Sequence, residues 1–502
     1  MCLLAFLAEG HTGFNLWDEG YLWYGVQRVL HGEVPIRDFM SYDPGRYYWA
    51  AAWLRIFHDE DLVVVRAATA AFSALGVVAA GILVWRGSIC RGVARLALCA
   101  FAMALCLLWM VPWWKGYDAA ISIILTASLA RVLVLPIAGR FFQHGMVVGL
   151  AAVFGRNHGM YGVLACLLAT PVLVFAAKPI WRRCIPAWIA GVALGFSPVL
   201  LAIVFNRSFA VAFWDSIRFL LFEYKGTDLP LPVPWPWTVV MAHQSLSTLI
   251  RPSLIGCCFV GLPLFCVAGV ARALRGACSR RELAQPQFVA CVATAIPYLN
   301  VAFARADVSH LAQAILPCLL GLLVWPYHAR VRRGFAWIGL PLLAAGTSWI
   351  ILPLHPAYAM RIEGGWRQLD VGGDILWMNP SAATSVADIE ELARRYVPPG
   401  KTILSVPVWP GAYALLGVRS PVYEIYPLLP RNDEFQEQEI ARLRQASPAL
   451  IILNDIGVDS DERLRYAHTH QRIWSYIEAH YRRIASPPDE PQLKIYLPDV
   501  GG

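Results

Sequence analysis

Long apolar stretches separated by short polar connections make up the first two thirds of the chain. A helix of about 20 apolar residues is long enough to cross a bilayer. The pattern therefore predicts a polytopic α-helical membrane protein with about ten to eleven transmembrane helices. The predicted spans lie near residues 62–85, 95–112, 119–136, 145–156, 160–177, 184–205, 250–271, 288–303, 311–326 and 335–353.

The pattern changes after residue 354. Helix-like stretches at 385–396, 437–445 and 471–481 alternate with short apolar runs rich in β-branched residues, at 402–408, 449–454 and 493–497. This alternation predicts a small α/β domain. No glycine-rich phosphate loop follows any of these runs, so the sequence does not indicate a nucleotide site.

Composition supports the membrane assignment. Of the 502 residues, 58% are hydrophobic and 15% are charged, whereas soluble domains carry roughly 25% charged residues. The net charge of +8 comes from residues 1–353, which hold 27 Lys/Arg against 15 Asp/Glu, while residues 354–502 hold 15 against 19. The basic excess lies in short loops, which argues against nucleic-acid binding. All 12 Cys precede residue 319 and form no CxxC pair, so the sequence supports neither a zinc site nor a disulfide framework.

The basic loops predict the sidedness of the chain. Four of them, at 86–95, 178–183, 272–281 and 330–333, fall on one side when the spans are counted, and the positive-inside rule makes that side cytoplasmic. The opposite face then carries the tail and 14 of the 15 acidic residues before residue 354, with Glu282 as the exception. This concentration indicates a polar site on the outer face, and a solvated loop surface is the alternative.

Three segments follow from these patterns. Residues 1–61 are expected to hold a truncated first span and an outer loop, because Met1 to Ala8 is apolar but too short to cross a bilayer and lacks the basic start of a signal peptide. Residues 62–353 form the multi-span domain. Residues 354–502 form an extracytoplasmic domain of a protein in the inner (cytoplasmic) membrane.

The outer loop carries the most informative motif of the chain. The pair Asp18-Glu19 is followed by Gly-x-x-Pro-x-x-Asp-Phe at 32–39 and by Tyr-x-Pro-Gly-x-Tyr-Tyr at 42–48. Carboxylates beside a bilayer lose hydration unless they are paired or functional. The layout resembles the first outer loop of GT-C-type glycosyltransferases. These multi-span enzymes use polyprenyl-phosphate sugars and include protein O-mannosyltransferases and lipid A aminoarabinose transferases.

The resemblance implies catalytic residues at the acidic pair. The proposed catalytic base of the family maps onto Asp18, and Glu19 becomes a second catalytic-site carboxylate that binds a partner or the acceptor. Sugar transfer from a lipid phosphate needs a carboxylate to take the acceptor's proton and cations to hold the leaving phosphate. An acidic pair favoured by the helix dipole is the alternative interpretation.

Further candidates lie in the other predicted outer loops. Asp118 stands where similar enzymes carry a second acid, and a helix cap is its alternative. Arg156 and His158 lie between two short spans and suit a donor phosphate, with a basic side chain that extends to the membrane surface as the alternative.

A third outer loop holds an Arg, an Asp and a His within six residues. Arg305 suits the donor phosphate, and Asp307 and His310 suit positioning of the acceptor; a structural Arg305–Asp307 pair is the alternative. In the first outer loop, Asp38 and Tyr42 are further candidates for acceptor positioning.

The sequence thus predicts a glycosyltransferase that moves a sugar from a polyprenyl-phosphate donor to a lipid, glycan or protein acceptor of the cell envelope, on the outer face of the cytoplasmic membrane. A transporter or lipid flippase is one alternative, although such proteins place ionisable residues near the bilayer midplane. A non-catalytic assembly protein that retains the fold is another. Some GT-C enzymes need a divalent cation and others do not, and no cluster of metal-ligand residues in the sequence decides between them.

Overall fold

The chain consists of two compact units. The computed structural model describes all residues except 177–180, 227, 243–245, 279–284, 327–330, 332–333 and 500–502. The membrane unit comprises Met1–Phe6, Thr69–Phe205 and Asp228–Ala359, and the loop–tail unit comprises Leu7–Ala68, Asn206–Thr227 and Met360–Gly502. Some residues used above to predict sidedness lie outside the described residues, namely Lys178, Arg280, Arg281, Glu282, Arg330, Arg332 and Arg333.

Most of the described residues of the membrane unit are helical. Each of the ten predicted spans coincides with helical segments, because runs of apolar residues satisfy their backbone hydrogen bonds within a helix. Its α-helices are Leu62–Gly87 (from Thr69), Gly92–Leu108, Gly116–Val134, Ala138–Phe154, Arg156–Ala176, Trp181–Gly195, Ser197–Phe205, Pro236–Ala242, Leu246–Cys278, Pro286–Ala304, Val308–Leu323 and Leu340–Ile351, with short 3₁₀ or π segments at Trp113–Lys115, Phe335–Gly339 and Leu352–Leu354.

Fewer of these helices are long enough to span a bilayer than the sequence pattern predicts. Six helices among the described residues are long and apolar enough to cross a bilayer. A seventh candidate span is the pair of helices Arg182–Gly195 and Ser197–Phe205, which is bent by 63°. Gly92–Leu108 and Val308–Leu323 are apolar but shorter. The polytopic helical fold is confirmed, with six to seven candidate spans in the place of ten to eleven.

Small residues bring two helices of the membrane unit into backbone contact. Helix Ala138–Phe154 packs against helix Trp181–Gly195. A Cβ atom on Gly149 would lie 2.3 Å from a carbonyl oxygen of the other helix, and one on Gly191 would lie 2.2 Å from a carbonyl oxygen of the first. Such close approach is typical of helix packing in membranes. It fixes the helix that leads directly into Arg156 and His158.

Six strands lie among the described residues of the loop–tail unit. They are β1 (Arg367–Val371), β2 (Asp374–Met378), β3 (Ile403–Val406), β4 (Leu450–Asn454), β5 (Tyr481–Ile484) and β6 (Leu493–Pro498). Strands β1 and β2 form an antiparallel hairpin, and the others form a sheet of order β3-β4-β6-β5 in which only β3 and β4 are parallel. The α-helices wholly within this unit are Asp18–Leu30, Gly45–Phe57, Arg207–Arg218, Pro380–Tyr396, Gly411–Leu415, Asp433–Ala446, Tyr466–Thr469 and Gln471–His480, with short 3₁₀ or π segments at Phe219–Glu223, Val458–Ser460 and Glu462–Leu464. Helices Cys2–Glu9 and Pro356–Ile362 belong in part to each unit.

The core of the tail follows from its apolar pattern. All five residues of β4 are buried, and helices Asp433–Ala446 and Gln471–His480 cover the sheet through Ile440 and Ile477. The small α/β domain predicted from the sequence is therefore confirmed. Strands β1, β2 and β5 were not predicted, because they are short and β1 and β5 carry charged residues among the apolar ones.

The first helix of the outer loop packs against the tail. A Cβ atom on Gly20 would lie 2.3 Å from the Cα of Gly411, so the two backbones touch at a position where only glycine fits. One turn later the Tyr24 hydroxyl accepts a hydrogen bond from the backbone N–H of Ser420 at 2.9 Å. Helix Asp18–Leu30 and the tail, nearly 400 residues apart in sequence, therefore form one body.

A group of carboxylates surrounds the start of helix Leu62–Gly87 in the loop–tail unit. Asp61 donates its backbone N–H to the side chain of Asp59 at 3.0 Å, and Asp374 accepts a hydrogen bond from the N–H of Val63 at 2.8 Å. Burial is the largest cause that raises the pKa of Asp61, and with the neighbouring carboxylates Asp59, Asp374 and Asp370 it brings this pKa to about 7.

The loop–tail unit should therefore lose stability as the pH rises. The Asp61 carboxyl is protonated in both folded and unfolded states below its ordinary pKa of 3.8, but above that value only the unfolded chain ionises it freely until the pH reaches about 7. Thermal melts of the solubilised protein should show a melting temperature that falls as the pH rises from 3.8 to about 7. Asp61→Asn should flatten the decline and raise the melting temperature at pH 8, whereas the exposed neighbour Glu60→Gln should leave the profile unchanged. An unaltered profile in Asp61→Asn would contradict this assignment.

Candidate functional site

Two adjacent carboxylates at the start of helix Asp18–Leu30 have opposite environments. The Glu19 side chain is 1% exposed, and its Oε1 accepts a hydrogen bond from the Nε of Arg66 at 2.7 Å. Its Oε2 accepts another from the N–H of Asn15 at 2.9 Å. Asp18 is half-buried, and among the described residues of its own unit no hydrogen bond or ion pair holds its carboxylate. Neighbouring helix positions point in different directions, so one acid is buried while the other faces outward.

Arg66 holds the chain before the helix as well as Glu19. Its guanidinium donates hydrogen bonds to the carbonyl oxygens of Gly10 at 2.8 Å and Gly13 at 2.6 Å. Several charge-assisted bonds to one buried cation compensate for its lost hydration. Because Arg66 belongs to helix Leu62–Gly87, this contact fixes both the preceding loop and the position of Asp18.

Asp38 and Tyr42 take part in the structure of the outer loop. Arg37 donates two hydrogen bonds to Asp38, at 2.7 and 2.6 Å, and the N–H of Val34 donates a third at 2.7 Å. Burial alone would raise the pKa of Asp38, but the bonds from Arg37 and Val34 outweigh it and hold the pKa below its usual value. The ring of Tyr42 lies beneath the guanidinium of Arg46, at 4.6 Å from the ring centroid. Neither contact involves Asp18 or Glu19.

The membrane unit contains a buried chain of three polar side chains. The Nε2 of His158 lies 2.8 Å from Oδ1 of Asp118, and its Nδ1 lies 2.8 Å from the hydroxyl of Tyr298. A carboxylate only accepts hydrogen bonds, so Nε2–H donates to Asp118, and a neutral ring then accepts from the Tyr298 hydroxyl. All three residues are buried. The structure thus brings together Asp118 and His158, and Tyr298 is the third member of this hydrogen-bonded series.

This geometry changes the interpretation of His158. The sequence predicts that it holds a donor phosphate, but both of its ring nitrogens are engaged and the side chain is 1% exposed. Contact with a phosphate would require breaking the bond to Asp118 or to Tyr298. Arg156, two residues earlier and half-buried at the start of its helix, is better placed than His158 to meet a phosphate.

The third predicted group also forms a hydrogen-bonded cluster. Arg305 donates from Nε to Asp307 at 2.9 Å and from an Nη to the carbonyl of Leu229 at 3.1 Å. The Nδ1 of His310 lies 2.9 Å from Asp307, whose side chain also accepts the backbone N–H of His310. Burial opposes ionisation of Asp307, but the bonds and charge of His310, with the charge of Arg305, place its pKa below the usual value. Asp228, 3.6 Å from His310, joins the cluster.

These polar groups belong to one end of the membrane unit. Asp118 and His158 are each the third residue of their helices, and Tyr298 lies two turns before the end of helix Pro286–Ala304, just ahead of Arg305. Lys115 is close enough to His310 to act on it electrostatically. The sequence motif around Trp113–Asp118 contains Lys115, but nothing in an apolar run marks Tyr298 as a polar partner.

The predicted site residues therefore fall into two groups. The loop–tail unit holds Asp18, Glu19, Asp38 and Tyr42, and the membrane unit holds Asp118, Arg156, His158, Arg305, Asp307 and His310. In the part of the chain that the structure describes, no group of three or more His, Cys, Asp or Glu side chains is arranged to hold a metal ion.

The buried ion pair yields a stability prediction. Glu19→Gln keeps the size of the side chain but leaves Arg66 charged and buried, which should cost about 3–5 kcal/mol of unfolding free energy. Thermal melts of the solubilised protein should show this loss, and the double variant Glu19→Gln/Arg66→Met should recover much of it because the uncompensated cation is gone. A double variant less stable than Glu19→Gln alone would contradict this account.

Comparisons with known proteins identify the fold. No protein-family model and no curated protein matches the sequence. The structure is similar to ArnT from Cupriavidus metallidurans bound to undecaprenyl phosphate, with a TM-score of 0.59 and 12% identity over 100% of this chain and 97% of ArnT. For the apo form of the same protein the TM-score is 0.57 and the identity is 11%, over 98% of this chain and 95% of ArnT. For the Archaeoglobus fulgidus oligosaccharyltransferase the TM-score is only 0.47 and the identity is 10%, over 100% of this chain and 74% of the oligosaccharyltransferase. The chain has a GT-C-like fold, as its outer-loop motif predicts.

Proposed function

We propose that the chain is a membrane glycosyltransferase. It moves a sugar from a polyprenyl-phosphate donor to a hydroxyl of a lipid, glycan or protein acceptor, on the outer face of the cytoplasmic membrane, with the tail outside the cytoplasm. The GT-C-like fold supports this proposal, as does the undecaprenyl phosphate bound to C. metallidurans ArnT. The observation that carries it is the carboxylate of Asp18, which is half-exposed beside the buried pair of Glu19 and Arg66.

Asp18 is assigned as the general base. As the acceptor oxygen attacks the anomeric carbon of the donor sugar, its proton passes to the Asp18 carboxylate, the bond from that carbon to the phosphate oxygen breaks, and polyprenyl phosphate leaves. Glu19 is assigned a positioning function, since its two oxygens are already bound by Arg66 and Asn15. Asp38 and Tyr42 shape the outer loop that lies beyond the helix.

The leaving phosphate is assigned to the polar end of the membrane unit. Arg305 and Arg156 supply the positive charge that a departing phosphate requires. Asp307 and His310 hold Arg305 in place through the bonds described above. His158 holds the second acid, Asp118, in one orientation. In this assignment His158 acts through Asp118 and does not touch the phosphate.

A transporter is the second candidate, and the buried chain from Asp118 to Tyr298 is the observation that favours it, because ionisable residues inside membrane helices often carry protons. Transporter sites lie near the bilayer midplane. Asp118 and His158, by contrast, lie in the first turn of their helices. This position favours a site at the membrane surface and therefore the enzyme.

The general base is tested by Asp18→Asn. This variant keeps the size of the side chain and removes its ability to accept a proton, so sugar transfer in membranes should fall by at least about a hundredfold. The melting temperature should not change, because no described residue of its unit holds the Asp18 carboxylate, and Asp18→Glu should retain part of the activity. Full transfer by Asp18→Asn at normal expression would remove the assignment of Asp18 as the base, whereas absence of transfer by the unaltered protein would favour the transporter.

The phosphate site is tested with Arg305→Gln. Loss of one charge-assisted contact should weaken the binding of undecaprenyl phosphate by about tenfold or more. Arg140→Gln is the matched control, since Arg140 lies near the far end of the helix that precedes Arg156. Titration of the solubilised variants measures both dissociation constants. Equal affinities for Arg305→Gln and Arg140→Gln would show that Arg305 has only a structural function.

A further inference from the structure

The loop–tail unit contains a cleft that the assignments above leave without a ligand. Its volume is about 420 Å³, within the range of small-molecule sites, which is roughly 300–1,000 Å³. Residues Tyr24 and Phe39 from the outer loop and Val422 from the tail form an apolar floor. The more exposed rim carries Arg419, Arg442 and Gln445. The floor and the rim thus belong to one compact unit.

The charged side chains of the cleft are already paired within the protein. Arg419 donates to Glu33 at 2.9 Å. Arg442 pairs with the buried Glu439, and Asp38 in the wall is bound by Arg37. A multiply charged ligand would have to displace these partners and leave buried acids uncompensated. The cleft is therefore suited to a ligand without net charge.

The remaining lining groups select a ligand rich in hydroxyls. Thr402 and Ser420 bring hydroxyl groups to the cleft, and Gln445 brings an amide that both donates and accepts. The hydroxyls of Thr402 and Ser420 already donate to the carbonyl oxygens of Arg419 and Val422. A purely apolar ligand would still bury the amide of Gln445 without a partner, at a cost of free energy. A sugar chain meets both requirements, because its C–H faces pack on aromatic rings such as Tyr423 and its hydroxyls bond to the rim.

Hydrogen bonds hold the outer-loop turn that brings Asp38 and Phe39 to the cleft. Ile36 has a φ of 72°, a conformation that β-branched residues rarely adopt, and it is held there by hydrogen bonds. Its N–H donates to the Ser41 hydroxyl at 2.7 Å, and its carbonyl accepts from the Tyr423 hydroxyl at 2.7 Å. The N–H of Met40 donates to the carbonyl of Tyr423 at 2.8 Å. Such strain persists where the surroundings fix it, and a preformed wall lowers the entropy cost of binding.

The cleft and Asp18 are connected through one helix. Tyr24 follows Asp18 by six residues in helix Asp18–Leu30, which corresponds to about 9 Å along the axis at 1.5 Å per residue. The backbone contact of Gly20 with Gly411 fixes this helix against the tail. One helix therefore carries both the proposed base and part of the cleft floor.

From these observations we propose that the cleft binds a neutral oligosaccharide, the glycan portion of the acceptor. The identification as acceptor rests on the proposed function, whereas binding of a neutral saccharide rests only on the lining and paired charges of the cleft. The two parts can therefore fail separately.

The test is saccharide binding by the solubilised full-length protein. The probes are maltotriose and cellotriose, titrated by saturation-transfer NMR, with a trisaccharide of uronic acids as the charged comparison. Ala446→Trp fills the cleft, since Ala446 lines it at the end of helix Asp433–Ala446. Ala441→Trp is the matched control, because Ala441 is exposed on the same helix and does not line the cleft.

We expect a neutral trisaccharide to bind, with at least a tenfold loss in Ala446→Trp, a smaller loss in Gln445→Leu and none in Ala441→Trp. The uronic-acid trisaccharide should bind at least tenfold more weakly. Absence of neutral binding up to about 10 mM, equal affinities of the two tryptophan variants, or tighter binding of the charged probe would overturn the proposal. Thermal melts confirm that each variant is folded.

Asp18→Asn separates this proposal from the proposed function. It should bind the neutral trisaccharide like the unaltered protein while its sugar transfer falls by at least about a hundredfold. Normal sugar transfer by Asp18→Asn would exclude Asp18 as the base without affecting the saccharide-site proposal. If Asp18→Asn loses transfer but the unaltered protein binds no saccharide, the saccharide site is excluded and Asp18 remains the proposed base.

Discussion

The buried contact between Glu19 and Arg66 fixes the part of the molecule on which the proposed chemistry depends. Two charges lose their hydration there, at 1% and 3% exposure, and this loss is costly unless every remaining donor and acceptor is satisfied. Arg66 reaches backbone carbonyls of the preceding loop, and Glu19 accepts the N–H of Asn15. Neither partner can leave alone without stranding the other charge. The start of helix Asp18–Leu30 is therefore held in one position.

This constraint explains how two consecutive acids differ in function. The environment of a carboxylate sets what it can do. Glu19 is bound within the fold by Arg66 and Asn15. Asp18, one position earlier, is positioned by the same helix, and no described residue of its unit binds its carboxylate. The same helix continues past Gly20, where it touches Gly411, to Tyr24 on the floor of the cleft. One buried pair thus determines the orientation of both the proposed base and the proposed saccharide site.

Much of the fold could be predicted because it follows from local patterns. Apolar runs gave the helices of the membrane unit, and alternating runs gave strands β3, β4 and β6 with the helices between them. The partners of the site residues could not be predicted in the same way. Arg66 lies inside a predicted span, where its sequence gives no sign that it binds an acid 47 residues earlier. Tyr298 is similarly hidden in an apolar helix, and its bond to His158 joins positions 140 residues apart.

The polar end of the membrane unit has electrostatics that favour an anion. Helices Gly116–Val134 and Arg156–Ala176 both begin there, as the contact of Asp118 with His158 shows, and the partial positive charge of a helix N-terminus favours negative groups. Arg156 and Arg305 add full positive charges at the same end. The acids present are held by neighbours, Asp118 by His158 and Asp307 by His310. These hydrogen bonds fix the positions of the two carboxylates. In a low-dielectric setting that arrangement strengthens the attraction for a phosphate, which is the group that a lipid-linked sugar donor would bring.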